Sequence, residues 1–477
     1  MNTKSKPSIL LLYPSYFYHP SRLERDELKS ALFLLGSYLA KDYPVEYADL
    51  EISIGRPASG VQVKRYARKV REFLEKRQFD ILALSCWTSL SYQATMITAK
   101  IARELYPDCL IVVGGYHPTA VPEDFVSDDN LFDYVIRREG ELALMDIVEG
   151  FAVSGRPPET KVVVGPTLYP DKFVSVHWDL VDRFIETNFP DGIGTLCLYL
   201  SRGCPFACTF CMESLKDRSW RPYTPERAIE EIRTAIEHYR IQAIAIGDAC
   251  FGVRPKWRKK FLRRLIDLNP SQWILIETRP EYLDEEDVEV FGRLKTEIQI
   301  GLESCSPQML RIMNKTKQPE KFLDDFRRVS HLLSDHGVIH GANLIFNHPG
   351  ETQKTLEETF AFIDEESQRS NSSLIWATHG YLHFPGSALD RNQAHYEQEY
   401  GAKFLSPGWW REDDNPFIGG RNVIPSRDLS GERVELWQRM FQERDEQLKS
   451  CLTPQAFQLA ANTYFPSWRN DPRYTGF

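Results

Sequence analysis

Short apolar runs alternate with amphipathic stretches over the first 150 residues. A continuous apolar run bounded by turn residues is typical of a buried parallel strand, and apolar positions three and four residues apart are typical of a helix. The predicted strands are residues 8–13, 45–49, 81–85, 110–115 and 134–137, and the predicted helices are residues 23–41, 61–77 and 91–106. This alternation predicts a doubly wound α/β domain over residues 1–150.

A second alternating series begins after residues 151–194, where the pattern breaks. That segment is rich in Gly, Pro and Asp, and we interpret it as a linker that packs on the surface. The strands predicted after it are residues 197–201, 243–247, 274–278, 297–301, 338–345 and 376–382, and the helices are residues 225–239, 256–268, 284–294, 320–336 and 352–366. Six strand–helix units predict a partial parallel barrel over residues 195–390, with its chemistry at the carboxyl ends of the strands.

The C-terminal extension, residues 391–477, is rich in Trp, Tyr and Phe. Residues 432–450 have the pattern of one charged amphipathic helix. Glycines such as Gly419 and Gly420 are compatible with a mobile lid over the barrel mouth, which would contact substrate. A tail that simply packs against the barrel is the other interpretation, and both stay open.

Small residues end two of the predicted N-terminal strands. Ser85 ends one strand, and Gly114 and Gly115 end the next. Ligands of doubly wound sheets bind past the carboxyl ends of strands, where the winding reverses, and glycine lets a backbone approach a ligand closely. A ligand site is therefore expected at this edge.

The balance of acidic and basic residues indicates which classes of binding partner to expect. The formal net charge is −9, which argues against nucleic-acid and membrane-surface partners. The first residues lack the apolar core of a signal peptide, and no apolar run is long enough to span a bilayer. The expected localisation is cytoplasmic.

Three of the nine cysteines lie within eight residues: Cys204, Cys208 and Cys211. Thiolates at this spacing on a loop can converge on one metal centre, and iron–sulfur clusters are held by Cys thiolates. A structural zinc site usually shows a second ligand pair, and a ferredoxin-like site shows a nearby fourth Cys, but neither is present here. Three unrelated core cysteines are the remaining alternative. The strand-end position beside Gly203 and Pro205 favours a four-iron–four-sulfur cluster with one iron open.

This Cys204–Cys208–Cys211 spacing, with Phe210 before the last Cys, resembles the radical S-adenosylmethionine (SAM) superfamily. The resemblance implies that the three cysteines ligate a four-iron–four-sulfur cluster and that SAM chelates the open iron. Electron transfer from the cluster then breaks a carbon–sulfur bond of SAM, usually giving a 5′-deoxyadenosyl radical.

The resemblance continues along the strand ends of a TIM-like partial barrel of six strands. It implies that SAM is bound through its ammonium by Gly247 and Asp248, through its carboxylate by Arg279, through its ribose by Glu303 and Ser304, and on its adenine side by Asn343 and Ile345. Glu277, at the same strand end as Arg279, is also expected in the SAM site. Each of these residues also has an ordinary structural interpretation. Their shared position at strand ends favours the common site.

The N-terminal segments 113–123 and 133–141 resemble the cobalamin (B12)-binding, Rossmann-like domain fused to many radical SAM proteins. The resemblance implies that Ser85, Gly114 and Gly115 lie along the nucleotide tail of cobalamin. The chain lacks an Asp-x-His-x-x-Gly motif, since His19 stands without the rest of it, and His117 is not assigned to cobalt. A domain that has lost its cofactor therefore remains an alternative.

Taken together, these resemblances imply an enzyme, most simply a transferase. The expected reaction is cobalamin-assisted methylation of a small molecule or peptide in natural-product or cofactor biosynthesis, with flavodoxin or ferredoxin as electron donor. Radical SAM chemistry without cobalamin is an alternative, either by transfer of a 3-amino-3-carboxypropyl group or by ring formation or rearrangement. A non-catalytic, metal-stabilised binding protein is the remote alternative.

Overall fold

The structure, a computed structural model, describes residues 6–17, 27–57, 60–126, 130–215, 218–369, 372–412 and 423–475. His19, Gly419 and Gly420 lie outside these ranges. The strands are β1 (Ile9–Tyr13), β2 (Glu27–Lys29), β3 (Val45–Asp49), β4 (Ile81–Ser85), β5 (Leu110–Gly114), β6 (Tyr134–Arg138), β7 (Lys161–Gly165), β8 (Ile193–Leu198), β9 (Ser201–Arg202), β10 (Arg221–Pro222), β11 (Ile241–Ile246), β12 (Trp273–Thr278), β13 (Thr296–Glu303), β14 (Ile339–Phe346), β15 (Leu374–Gly380), β16 (Lys403–Phe404) and β17 (Val423–Ile424).

The helices connect these strands and cover the faces of both large sheets. They are α1 (Ser30–Leu39), α2 (Leu50–Ser53), α3 (Gly60–Glu75), α4 (Tyr92–Leu105), α5 (Tyr116–Ala120), α6 (Glu141–Ser154), α7 (Asp179–Asn188), α8 (Pro225–His238), α9 (Pro255–Leu268), α10 (Glu285–Gly292), α11 (Pro307–Ile312), α12 (Pro319–Asp335), α13 (Gln353–Ser367), α14 (Gln393–Tyr400), α15 (Leu436–Gln442), α16 (Asp445–Cys451) and α17 (Pro454–Thr463). None of the helices described is long and apolar enough to cross a bilayer.

The N-terminal domain is a parallel sheet in the order β3-β1-β4-β5-β6-β7. Successive residues of its central strands pack into different cores: Leu10 and Leu12 into one, Ile9 and Leu11 into the other. A strand buried on both faces needs apolar side chains at every position, which explains the continuous apolar runs. The predicted doubly wound fold is confirmed.

The linker predicted over residues 151–194 is corrected by the structure. Strand β7 within it pairs with β6 and completes the first sheet, and helix α7 follows. The outer face of this edge strand is open, with Val162 and Val164 about half exposed. A short apolar run between proline-rich turns resembles a surface segment, and only the pairing identifies it as a strand.

The second sheet runs in the order β15-β14-β13-β12-β11-β8-β2, and every neighbouring pair is parallel. Strands β8 and β11 to β15 are the six predicted barrel strands, so the partial barrel is confirmed. The seventh strand, β2, comes from the N-terminal region, where Leu28 pairs with Leu196. The two domains are therefore joined by a shared sheet as well as by the chain.

The C-terminal extension packs against the amino ends of the barrel strands. The single helix predicted over residues 432–450 is interrupted and forms α15 and α16. Helix α17 buries Phe457 together with Ile339 and Ile375 of strands β14 and β15. The hydroxyl of Tyr464 donates to the Glu297 carboxylate across 3.0 Å. This part of the tail therefore closes the end of the barrel opposite the predicted site.

Candidate active site

The cysteine loop leaves the end of β8 and is framed by the short antiparallel pair β9–β10. Gly203 begins the loop in the left-handed region, at φ 78°, a conformation that glycine adopts without strain. The amide of Thr209 donates to the Met313 carbonyl across 2.9 Å, and the Asn314 side chain donates to the Ala207 carbonyl across 2.8 Å. The turn after α11 thus holds the loop in place.

All three predicted cluster ligands lie in this loop, and none of them forms a disulfide with another described cysteine. Cys208 is buried, and Cys204 and Cys211 are half-buried. Burial, together with the neighbouring Cys208 and Cys204, raises the pKa of Cys211 to about 12. Burial also raises the pKa of the Cys204 thiol. Thiols that resist ionisation need a positive partner to become thiolates, and bound metal ions supply that charge. The donor set therefore fits an iron–sulfur cluster.

Gly247 and Asp248 follow β11 directly beside the strand that leads into this loop. A Cβ on Gly247 would lie 2.5 Å from the Cys197 sulfur, so glycine permits the close approach of β8 and β11. The Asp248 carboxylate accepts hydrogen bonds from the Leu200 amide (2.7 Å), the Ser201 amide (2.9 Å) and the Ser201 hydroxyl (2.6 Å). Asp248 is buried and fixes the backbone before the cysteine loop, and its predicted contact with the SAM ammonium stays a prediction.

We expect Asp248→Ala to lower the free energy of unfolding by about 3 kcal/mol, because three buried donors lose their acceptor. Asp248→Asn keeps one carbonyl oxygen for the two amides, so it is expected to cost less than half as much. Denaturant unfolding of the two variants tests this order. Equal stability of both variants and the parent chain would contradict the anchoring role.

Arg279 is held by its neighbours through all but one of its guanidinium nitrogens. Its guanidinium lies 3.7 Å from the Phe206 ring centre, Nε donates to Glu281 across 2.6 Å, and Nη2 donates to the Lys315 carbonyl across 2.8 Å. Nη1 is buried without a hydrogen-bond partner among the described residues. A guanidinium N–H that is still available beside the cluster loop is a suitable donor to a carboxylate ligand, which agrees with the predicted contact to the SAM carboxylate.

Glu277 and Glu303 are brought together in the barrel lumen. The Glu277 side chain faces open space inside the barrel, and the surrounding protein together with the Glu303 charge raises its pKa. Glu303 pairs with Lys315 across 2.9 Å. The neighbouring Ser304 is buried elsewhere, where its hydroxyl accepts from the Ser306 amide across 3.1 Å. Glu303 and Ser304 thus follow each other in sequence but face different surroundings.

Asn343 and Ile345 lie half-buried on β14, in register with Gly301 of β13 and His379 of β15. Ile345 packs against the same small apolar core as Phe210 of the cysteine loop. The predicted adenine-side strand is therefore in contact with the core that supports the cluster loop.

A cavity of about 320 Å³ joins the two domains. Ser85, Gly114 and Gly115 line it from the N-terminal sheet, and Gly203 and Gly247 line it from the barrel. Its walls are mainly apolar, as expected for a site that holds a large organic ligand. Of the residues predicted from sequence, Ser85, Gly114 and Gly115 of the first domain and Gly247 of the barrel thus line one continuous space. The three cysteines and the other predicted SAM-site residues are not among the described residues that line it.

A buried ion network borders this cavity and was missed by sequence reasoning. Arg202, two residues before Cys204, pairs with Glu141 at 2.6 Å and with Glu139 at 3.4 Å. Glu139 also pairs with Arg221 of β10 at 2.5 Å. The sequence signal was only a charged run at residues 137–141, and nothing local identifies partners more than sixty residues away.

The C-terminal extension also reaches the N-terminal domain. The Trp410 indole donates to Asp124 across 2.6 Å, and the Trp409 indole donates to the His383 carbonyl across 2.7 Å. Asp124 in turn bonds His117 Nε2 at 2.9 Å, while His117 Nδ1 bonds Ser89 at 2.8 Å. Both His117 nitrogens are thus engaged within the protein, which agrees with leaving this residue unassigned to cobalt.

We expect Trp410→Ala to lower the free energy of unfolding by about 3 kcal/mol, because a buried indole is removed between the tail and the first domain. Trp410→Phe keeps most of the packing and loses one hydrogen bond, so about 1 kcal/mol is expected. Denaturant unfolding followed by tryptophan fluorescence measures both. A parental midpoint for Trp410→Ala would show that this contact does not hold the tail.

Two family profiles match the chain. The Radical SAM superfamily profile matches residues 198–363, and the B12 binding domain profile matches residues 24–148. The chain thus contains a radical SAM domain and a B12-binding domain. Its matched regions contain the cysteine loop and the Gly114-Gly115 edge, so this radical SAM protein carries an N-terminal B12-binding domain.

Individual relatives are more distant. The chain is 27% identical to an uncharacterized methyltransferase, PH0819, of Pyrococcus horikoshii, over 61% of this chain and 66% of the relative. It is 26% identical to the anaerobic magnesium-protoporphyrin IX monomethyl ester cyclase of Rubrivivax gelatinosus, over 61% of this chain and 55% of the relative. The chain thus spans between half and two thirds of these curated relatives.

Among solved structures, this radical SAM protein resembles the radical S-adenosylmethionine methyltransferase TsrM from Kitasatospora setae. The TM-score is 0.63 at 16% identity, and the match covers 95% of this chain and 90% of that one. At this identity the likeness shows that the fold is shared. It extends over both domains and most of the tail.

The cofactors of these two domain families are a four-iron–four-sulfur cluster, SAM and cobalamin. The three cysteines of the loop fit the cluster, and the Arg279 Nη1, which has no hydrogen-bond partner among the described residues, fits the SAM carboxylate. The glycine-lined cavity fits cobalamin. Each predicted group thus has residues of suitable chemistry in place.

Proposed function

We propose that the chain is a cobalamin-dependent radical SAM methyltransferase that acts on a small molecule. The observation that carries this proposal is the cavity between the domains, because Ser85, Gly114 and Gly115 line the same space as Gly203 and Gly247. A methyl carrier and a radical source must both reach one substrate atom, and a shared cavity permits that.

In this proposal the chain's own residues bind and orient. Cys204, Cys208 and Cys211 hold the cluster, which supplies the electron for cleavage of SAM, and bound cobalamin supplies a methyl carrier. The Arg279 Nη1 donates to the SAM carboxylate, and Glu303 accepts from the ribose. The apolar walls exclude water from the space in which a reactive carbon radical must survive.

The names of the relatives support methyl transfer. The Pyrococcus relative is described as a methyltransferase, and the TsrM likeness extends over nearly the whole chain. We place the reaction in natural-product biosynthesis with a small-molecule substrate, a flavodoxin or ferredoxin as electron donor, and a reducing cytoplasm as the compartment. Nucleic acid and membrane have no part in this proposal.

Ring formation is the second candidate, and one observation favours it. The Rubrivivax relative is described as a cyclase, and its match covers as much of this chain as the match to the methyltransferase. A cyclase would use the same cluster and SAM site without net transfer of a methyl group.

The test is anaerobic reconstitution with iron, sulfide and SAM, with and without cobalamin, followed by mass spectrometry of the SAM-derived products. A panel of small-molecule acceptors is included. Methyl transfer predicts S-adenosylhomocysteine that forms only when cobalamin is present. Ring formation predicts 5′-deoxyadenosine without S-adenosylhomocysteine, and 5′-methylthioadenosine would indicate carboxypropyl transfer. Either of the last two outcomes overturns the proposal.

A further inference from the structure

A buried ion pair lies between the predicted ribose site and the cluster loop. Lys315 Nζ and Glu303 Oε1 are 2.9 Å apart, and their side chains are 6% and 12% exposed. Lys315 follows the turn after α11 whose carbonyl and amide groups hold the cysteine loop. Its ammonium is therefore tied by the backbone to the loop that carries the cluster ligands.

Several ionisable groups face the Lys315 ammonium from the surrounding elements. They are the carboxyl groups of Glu303 on β13 and Glu277 on β12, the thiols of Cys204 and Cys208 in the cysteine loop and of Cys250 after β11, and the guanidinium of Arg279 after β12. Glu303 is in direct contact, whereas Cys208 acts through space. The same cation thus lies between carboxyl groups of the predicted SAM site and thiols of the cluster loop.

The backbone of β13 is shaped to present this pair to the lumen. Glu303 has φ 70°, in the left-handed region that a residue with a side chain rarely adopts. The register with β14 shifts between Gly301 and Glu303. A Cβ on Gly301 would lie 2.9 Å from both Glu303 Oε1 and Lys315 Nζ, so the glycine makes room for the pair. Such a conformation is costly, and it is typical of functional sites.

We propose that Lys315 is a positioning residue that exchanges partners when SAM binds. Without SAM, Glu303 neutralises the ammonium. With SAM bound, hydrogen bonds from the ribose hydroxyls draw the Glu303 carboxylate away from Lys315, and the Lys315 charge then acts mainly on the cluster. This inference rests on the proposed function, since it requires a cluster at Cys208 and an adenosyl ligand at Glu303.

The physical consequence is control of the cluster's reduction. A one-electron reduction adds negative charge to the cluster, and an uncompensated cation in a poorly solvated site stabilises that charge. When Glu303 compensates the cation, reduction is less favourable. The exchange of partners by Lys315 therefore makes the cluster easier to reduce once SAM is bound. This limits the transfer of electrons from the reduced cluster to other acceptors.

The test measures the fraction of reduced cluster by electron paramagnetic resonance at fixed potentials, in the full-length reconstituted protein. S-adenosylhomocysteine serves as an adenosyl ligand that is not cleaved. With this ligand, Lys315→Met is expected to lower the ratio of reduced to oxidised cluster about tenfold, equivalent to about 59 mV. Without ligand, Glu303→Gln is expected to raise the ratio, and further addition of ligand is expected to change it little.

The matched control is Lys317→Met, because Lys317 lies two residues away, is exposed, and donates to Asn314 rather than to a carboxylate. Its ratio of reduced to oxidised cluster is expected to equal that of the parent chain at each potential. Lys315→Arg keeps the charge and is also expected to stay near the parent. Iron content and thermal unfolding of each variant distinguish loss of the fold from loss of the charge. If Lys315→Met does not fold, the ratios of reduced to oxidised cluster in Lys315→Arg and Glu303→Gln test the inference instead.

Parental ratios for Lys315→Met with and without ligand would overturn the inference. A decrease for Glu303→Gln would also overturn it, because removal of a negative charge must act in the opposite direction. A parent chain that holds the cluster but forms no S-adenosylhomocysteine from SAM contradicts methyl transfer alone, and the titration still decides the role of Lys315. A parent chain that binds no iron overturns both.

Discussion

Cys208→Ser is expected to lose its iron and its ability to cleave SAM, by more than about a hundredfold. Cys208 is the most buried of the three ligands, and its charge acts on both other cysteines. After this replacement only two cysteine thiolates remain in the loop, whereas three irons of the cluster each need one. Because even groups behind a metal ligand can change affinity a hundredfold, loss of the ligand itself should exceed that. Iron analysis, the visible spectrum and SAM consumption under a strong reductant measure the effect.

The control is Cys451→Ser, a half-buried thiol at the end of α16 on the C-terminal extension. It is expected to retain parental iron and SAM cleavage. Full iron content in Cys208→Ser, or equal iron loss in Cys451→Ser, would contradict the assignment of the cluster to the loop.

Gly114→Leu is expected to abolish cobalamin binding while the cluster is retained. Gly114 lines the cavity, and a Cβ placed there meets its nearest atoms, in Ile136, at 3.6 Å and 3.7 Å. The fold therefore accepts a side chain at this position, and the added volume enters the space for the cofactor. Gly115 is unsuited to this experiment, because its φ is +128° and a Cβ would overlap the Cys86 carbonyl. Absorbance of bound corrinoid after gel filtration is the measurement.

Gly150→Leu is the size-matched control, since a Cβ at this exposed position of α6 meets no atom within 4 Å. Parental corrinoid is expected for Gly150→Leu, and a reduced amount is expected for Gly114→Ala. Undiminished binding by Gly114→Leu would place cobalamin elsewhere or exclude it.

The main strands could be predicted from sequence because each is an apolar run buried on both faces. Strands β3 and β4 have the predicted bounds, and most others differ by one to three residues. The failures have a common cause. Strands β2 and β7 are short edge strands whose identity depends on their neighbours rather than on their own pattern. Likewise, a pattern of charged and apolar residues could not show where the helix over residues 432–450 would be interrupted.

The candidate site divides in the same way. The cysteine loop is local in sequence, so its spacing was sufficient. Asp248 was recognised as a strand-end carboxylate, but its three hydrogen bonds to residues 200 and 201 depend on the pairing of β11 with β8. Lys315 and Arg202 find their partners only through the tertiary fold. The positions of the site residues along the chain could be predicted from the strand ends, whereas their hydrogen bonds and ion pairs could not.

Strand β2 has a consequence for how the molecule can be divided. Its backbone pairs with β8, which leads directly to the cysteine loop, while α1 immediately after it packs against helix α6 of the other domain. A barrel fragment that begins at residue 195 would expose the long edge of β8, and unpaired edges recruit other chains. Separately produced halves are thus expected to aggregate, whereas the two halves produced together should recover a soluble complex.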